Sequence, residues 1–179
     1  KKLQDPQQPF GMREKASAEK SYDYLGNLLK VISFEVKTKD TAEYKNGIIP
    51  WASLEKPDEA ISGLIDAKEI LIHRNVVTVI IDYPIKNEYR FELNAINGFS
   101  RELLVKEISK AYYKMYEEEE ATATRKTIPI EKRIKTYNRN EINGKYGIWG
   151  HDIADLVLSE IEIYESADGK LILALIVDS

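Results

Sequence analysis

The chain has 179 residues, with 26 Lys plus Arg against 30 Asp plus Glu, a formal net charge of −4 and no cysteine. That length favours one domain of about 100 to 200 residues over two large ones, and it buries enough surface to need no disulfide or metal. The lack of cysteine excludes disulfides, thiolate zinc sites and a cysteine nucleophile, while the acid excess argues against a molecule-wide nucleic-acid or anionic-membrane surface.

A hydrophobic content of 43% argues against wholesale disorder. No apolar run approaches the roughly 20 residues of a membrane helix, so the chain reads as soluble. It starts at Lys1, with no charged-then-apolar leader before Gln4-Asp5-Pro6-Gln7-Gln8-Pro9, as a trimmed or processed form would; the compartment stays open.

Residues 1–20 carry prolines, glutamines and mixed charges without a sustained apolar period, and read as a flexible N-terminal arm. The body, 21–179, reads as a single α+β domain with 21–75 as an N-terminal annex. In the annex, Tyr24, Leu25, Leu28, Leu29 and Ile32 recur at three and four residues, which predicts a short helix from Ser21 to about Val31 despite Gly26. Phe34 to Thr38 is a candidate strand. Asn46-Gly47 and Pro50 punctuate a loop carrying Ile48, Ile49 and Trp51, and Pro57 with Asp58 and Glu59 starts a helix reaching about Leu64.

From Val76, alternation of Val77, Val79, Ile81 and Tyr83 with Thr78, Ile80 and Asp82 predicts a strand. After a Pro84 to Asn87 turn, Tyr89, Phe91 and Leu93 alternate with Glu88, Arg90 and Glu92, completing a hairpin with one wetter face. Ser100 is placed to cap a long helix, with Phe99 and Leu104 as its hydrophobic staple and Leu104, Ile108, Ala111, Tyr112 and Met115 as its apolar stripe. Residues 121–145 lose the period and predict a long loop or projecting excursion. Asp152 then opens a short helix to Leu158. Ile161 and Ile163 alternate with Glu160 and Glu162, Ala167-Asp168-Gly169 turns, and Leu171 to Val177 is a continuous apolar strand expected at the sheet centre.

Hairpin, helix, excursion, hairpin is an α+β order: a mostly antiparallel sheet with one long helix packed on one face. The order resembles a β-grasp arrangement, a likeness of topology carried by no motif.

Candidate chemistry is sparse. The two histidines are His73 and His151. His151-Asp152 places an imidazole beside a carboxylate. As metal ligands they would need a further partner such as His73, Asp155 or one of Glu117 to Glu120, and the plainer reading makes Asp152 a helix cap. Glu117 to Glu120 sits where a helix dipole disfavours negative charge, so a frayed, solvated end is expected.

Residues 125–139 are strongly basic, with Arg125, Lys126, Lys132, Arg133, Lys135 and Arg139 around Tyr137. Phosphate contacts and stacking on Tyr137 would suit single-stranded nucleic acid, but a loop paired with the molecule's own acids is the plainer reading. Trp149, framed by Tyr146, Gly147, Ile148 and Gly150, has the composition of a recognition anchor, and Trp51 is a second loop aromatic; plugs for the core ends are the plainer reading. Eleven Tyr against four Phe hint at half-wet surfaces.

No nucleophile elbow, Walker loop, dinucleotide fingerprint or His-Glu-x-x-His is present. No catalytic residue, metal ligand or cofactor is assigned. The leading expectation is a non-enzymatic binding module with a protein partner, its surface drawn from Tyr146, Trp149, His151, Asp152, Trp51, Arg133 and Tyr137. A small metal-dependent hydrolase on His151 and Asp152 is the alternative; nucleic-acid binding through 125–139 is the third.

Overall fold

The computed structural model describes residues 21–134 and 138–179, so the expected arm at 1–20 and Tyr137 lie outside the described residues. In place of the helix read from Ser21, the chain makes one 3-10 turn, Asp23–Leu25, and then strand β1, Asn27–Ser33. Gly26 enforces the change of direction. It adopts φ 131°, and a Cβ there would stand 2.1 Å from the Glu165 carbonyl oxygen, so glycine alone allows β1 to run this close to its neighbour. Of the residues at three-to-four spacing, Leu25 is buried in the turn and Ile32 in the strand, while Tyr24, Leu28 and Leu29 are exposed, so the spacing marks no single buried face.

Strands β2, Val36–Lys37, and β3, Ile48–Ile49, pair across the Asn46-Gly47 loop, and β4, Ala52–Ser53, follows. Helix α1, Pro57–Gly63, starts on its proline with two acids in the first turn, as the sequence predicts. After β5, Ile70–Ile72, come β6, Val76–Ile81, and β7, Tyr89–Asn94, the expected hairpin, in which Val77 faces Leu93 and Val79 faces Phe91. Strand β8, Phe99–Ser100, pairs with β5 and leads into helix α2, Arg101–Thr122, where the Ser100 hydroxyl accepts the Leu103 N–H at 3.2 Å.

The helix expected from Asp152 is only a 3-10 turn, Ile153–Asp155, before strand β9, Val157–Glu165. Val157 and Leu158 are both buried, because β4 pairs with this end of β9 and closes it over the core. Consecutive buried residues suit a strand covered on both faces. Strand β10, Leu171–Asp178, is central, as its unbroken apolar run implies.

The sheet order is β1-β9-β10-β6-β7, with β4 also on β9. Among the described ladders of this sheet, β10 with β6 is the parallel one. The final strand β10 lies parallel to β6, the first strand of the β6–β7 hairpin, with α2 between them in the chain, a β-grasp-like order here extended by β1. Leu104, Ile108, Tyr112 and Met115 of α2 pack on Val77, Val79, Ile161, Ile163, Leu173 and Leu175. At about 1.5 to 3 kcal/mol per fully buried large apolar side chain, this layer dominates the stability. Ile32, Phe34, Ala52, Leu54 and Leu64, from 21–75, belong to the same buried cluster. The opposite face is covered in part by Tyr22 and Leu25, over Ile80, Tyr164, Ala174 and Ile176. No helix among the described residues is long and apolar enough to cross a membrane.

Candidate functional site

The site is built on the C-terminal turn of α2. The four glutamates there are not a frayed end. Successive helical residues point about 100° apart, so Glu117 is exposed while Glu119 is 0% exposed. The Glu119 carboxylate accepts backbone N–H groups from Gly144 (2.8 Å), Tyr146 (2.6 Å), Gly147 (3.1 Å to each oxygen) and Ile148 (3.2 Å). Bonds to a charged acceptor are the stronger kind, and four of them offset the burial of the charge and its adverse place on the helix dipole. Gly144 is required because a Cβ would lie 2.4 Å from the Glu119 carbonyl oxygen, and Gly147 because its φ is 68°. Glu118 takes the Tyr146 hydroxyl and Lys145 Nζ, which together hold its carboxyl below the usual range.

Locked to α2 in this way, residues 146–151 form the presenting loop. The Tyr146 carbonyl accepts from Lys86 and Asn87, the Trp149 N–H donates to the Pro84 carbonyl at 3.1 Å, and the Arg139 N–H donates to the Gly150 carbonyl at 3.1 Å. The Tyr146 ring is 3% exposed and Ile148 is buried, so both serve the core; Trp149 remains 36% exposed. Its indole stands edge-on to Tyr83, with centroids 5.4 Å apart, and lies 5.8 Å from the His151 ring. Ser179 Oγ lies 2.7 Å from the Tyr83 hydroxyl and 3.3 Å from His151 Nε2. The Tyr116 hydroxyl donates to the His151 carbonyl at 2.9 Å.

Burial lowers the His151 pKa, opposed by the carboxylates of Asp155 and Asp152, and burial raises that of Tyr83. Both side chains are therefore neutral near pH 7. The arrangement offers aromatic area and neutral hydrogen-bonding groups.

Asp152 is committed elsewhere. Its two oxygens take Arg133 Nη1 at 2.6 Å and Nη2 at 3.1 Å, a bidentate pair with the arginine side chain 5% exposed. Arg139 Nη1 approaches the same carboxylate at 3.6 Å, and its guanidinium covers the Tyr116 ring at 4.8 Å. The excursion thus folds back over the end of α2, and two of its cations neutralise the molecule's own acids. Trp51 is half-buried, edge-on to Tyr44.

His73 is exposed just before β6, whereas His151 packs on Tyr83 just after it, so the strand separates the two histidines. A depression of about 270 Å³ lined by Arg74, Thr78, Glu92 and Lys170 also lies towards the His73 end. Among the described residues no three His, Cys, Asp or Glu side chains group to hold a metal.

Comparison with protein families, curated proteins and solved structures finds no match.

The structure therefore brings Trp149 and His151 together, ties Arg133 to Asp152, and buries Tyr146. Sequence reasoning missed Glu119, Tyr83, Tyr116 and Ser179. Glu119 was detectable, since it continues the stripe of Ile108, Tyr112 and Met115 at helical spacing, and a carboxylate on an apolar face needs donors. The glycines at 144 and 147 are the matching signal.

Proposed function

We propose that this chain is a non-enzymatic protein-interaction module whose contact surface centres on Trp149 and His151. The observation that carries the reading is an indole left over a third exposed on a loop whose backbone is held by Glu119. Aromatic anchors contribute most when they need not be ordered on binding. Ile128, Ile130 and Ile134 are exposed apolar side chains on the segment that Arg133 joins to Asp152. Phosphate binding draws less support, because Arg133 and Arg139 are buried in ion pairs.

Trp149→Ala tests the proposal. Stability should fall by less than about 1.5 kcal/mol in a denaturant titration, as expected for a side chain only part-buried. Proteins recovered with the wild-type chain should bind the variant weaker by about 2 kcal/mol or more. A stability loss of about 3 to 5 kcal/mol would make the indole a core plug and end the reading.

A further inference from the structure

The two edges of the main sheet differ in a way that points to a second binding surface. At β7 the face opposite α2 carries Arg90 and Glu92, and Arg90 is ion-paired with Glu88. Charges of this kind keep an edge from pairing with another chain. At β1 the residues are exposed except Ile32, and Leu28, Leu29 and Val31 are 51%, 54% and 46% exposed. Leu28 stands opposite Tyr164 and Val31 opposite Glu162, both on the face away from α2.

Beyond its ladder with β9, no other backbone hydrogen bond among the described residues involves Leu28 to Ile32. The protective devices at this edge are a register shift between Leu28 and Lys30 and Lys30 itself. They leave an apolar rim beside unused backbone donors and acceptors.

The adjoining charge indicates what fits. Glu160 and Glu162 flank β1 on this face, opposite Ser33 and Val31; Glu162 accepts the Tyr164 hydroxyl at 2.6 Å, and no ion pair to a Lys or Arg among the described residues involves either. A strand added outside β1 would lie about 10 Å from β9, two strand spacings, a distance that a lysine and a glutamate side chain span together across the small Ser33.

We infer that β1 is a docking edge for an extended segment of another protein, one that carries apolar and basic side chains two residues apart, on a single face, and joins the sheet by strand addition. Backbone pairing supplies the adhesion, Leu28 and Val31 take the apolar side chains, and Glu160 and Glu162 select the basic ones.

The test uses a fluorescein-labelled peptide of repeating Val-Thr-Lys-Thr, which sets valine and lysine on one face, followed by anisotropy on the full chain. Saturable binding is expected, together with slowed amide hydrogen exchange at Leu28 to Ile32. Methylating alternate peptide nitrogens, which leaves the protein untouched, should weaken binding about tenfold or more, as should Val31→Lys, which removes an apolar contact and repels the peptide's lysines at an exposed position. Trp149→Ala should leave this binding unchanged, which separates it from the surface proposed above. Absence of saturable binding overturns the inference. So does equal affinity for the same peptide with glutamate in place of lysine, or self-association in sedimentation that protects the same amides without peptide, since a second copy would then be the occupant.

Discussion

Glu119 carries more than any other single side chain near the candidate surface. With four backbone donors on one buried carboxylate, Glu119→Gln places an N–H against N–H groups and strands at least one of them. Stability should fall by about 3 kcal/mol, read from the urea midpoint, and Trp149 emission should shift to the red as the loop loosens. An unchanged midpoint would show that solvent satisfies those donors as well. His151 makes a prediction in pH. Its folded pKa lies below the ordinary 6.5 because burial disfavours the imidazolium, so near that value the unfolded chain binds more protons. Its contribution is complete above about pH 6.5 and is lost as the pH falls through the folded value. The loss of stability between about pH 7 and 5 should therefore be shallower in His151→Asn than in the wild type; parallel profiles would contradict the assignment.

At the scale of elements, α2 and the excursion form one unit joined through glycine positions. Gly144 lacks space for a methyl group, since its Cβ would meet the Glu119 carbonyl oxygen at 2.4 Å and Cδ at 2.6 Å, whereas at Gly150 nothing lies within 4 Å and only φ 73° resists. Gly144→Ala should then cost about 2 kcal/mol or more through displacement of the clamp, and Gly150→Ala about 1 kcal/mol through its left-handed backbone. Thermal melts of the two variants should fall in that order; the reverse order would mean that the excursion yields readily at Gly144. The central strand offers a parallel contrast. Leu173 is fully buried and Phe91 only partly, so Leu173→Ala should cost about 2 to 5 kcal/mol and Phe91→Ala less.

Across the whole molecule, β9 connects what the sequence separates. It pairs with β1 and β4 from 21–75 and with β10 from the C-terminal hairpin. Removing either set would expose one continuous core, so urea unfolding should be a single cooperative transition, with tryptophan fluorescence and far-ultraviolet circular dichroism tracing the same curve. Trp51 lies in the 21–75 region and Trp149 in the loop 146–151, so the signals of Trp51→Phe and Trp149→Phe report each part separately. Two midpoints would reveal an annex that unfolds independently.

What the sequence by itself determined were the elements whose evidence is local: the β6–β7 alternation, the Ser100 cap and stripe of α2, the Pro57 start of α1, and the unbroken apolar run of β10. Each rests on neighbours within a few residues, where period and capping chemistry act directly. The tertiary structure decided the rest. Only the approach of β9 to Gly26 turns 27–33 from a helical spacing into a strand, and only β4 over Val157 and Leu158 ends the helix expected at Asp152. The candidate surface was half visible. Trp149 and His151 stood out as residue types in a glycine-bearing loop, but Glu119, Tyr83 and Ser179 lie 30, 66 and 30 residues from Trp149 in the numbering. Their convergence depends on a parallel β6–β10 pair and on a buried carboxylate finding its donors, interactions between distant segments that leave no local period.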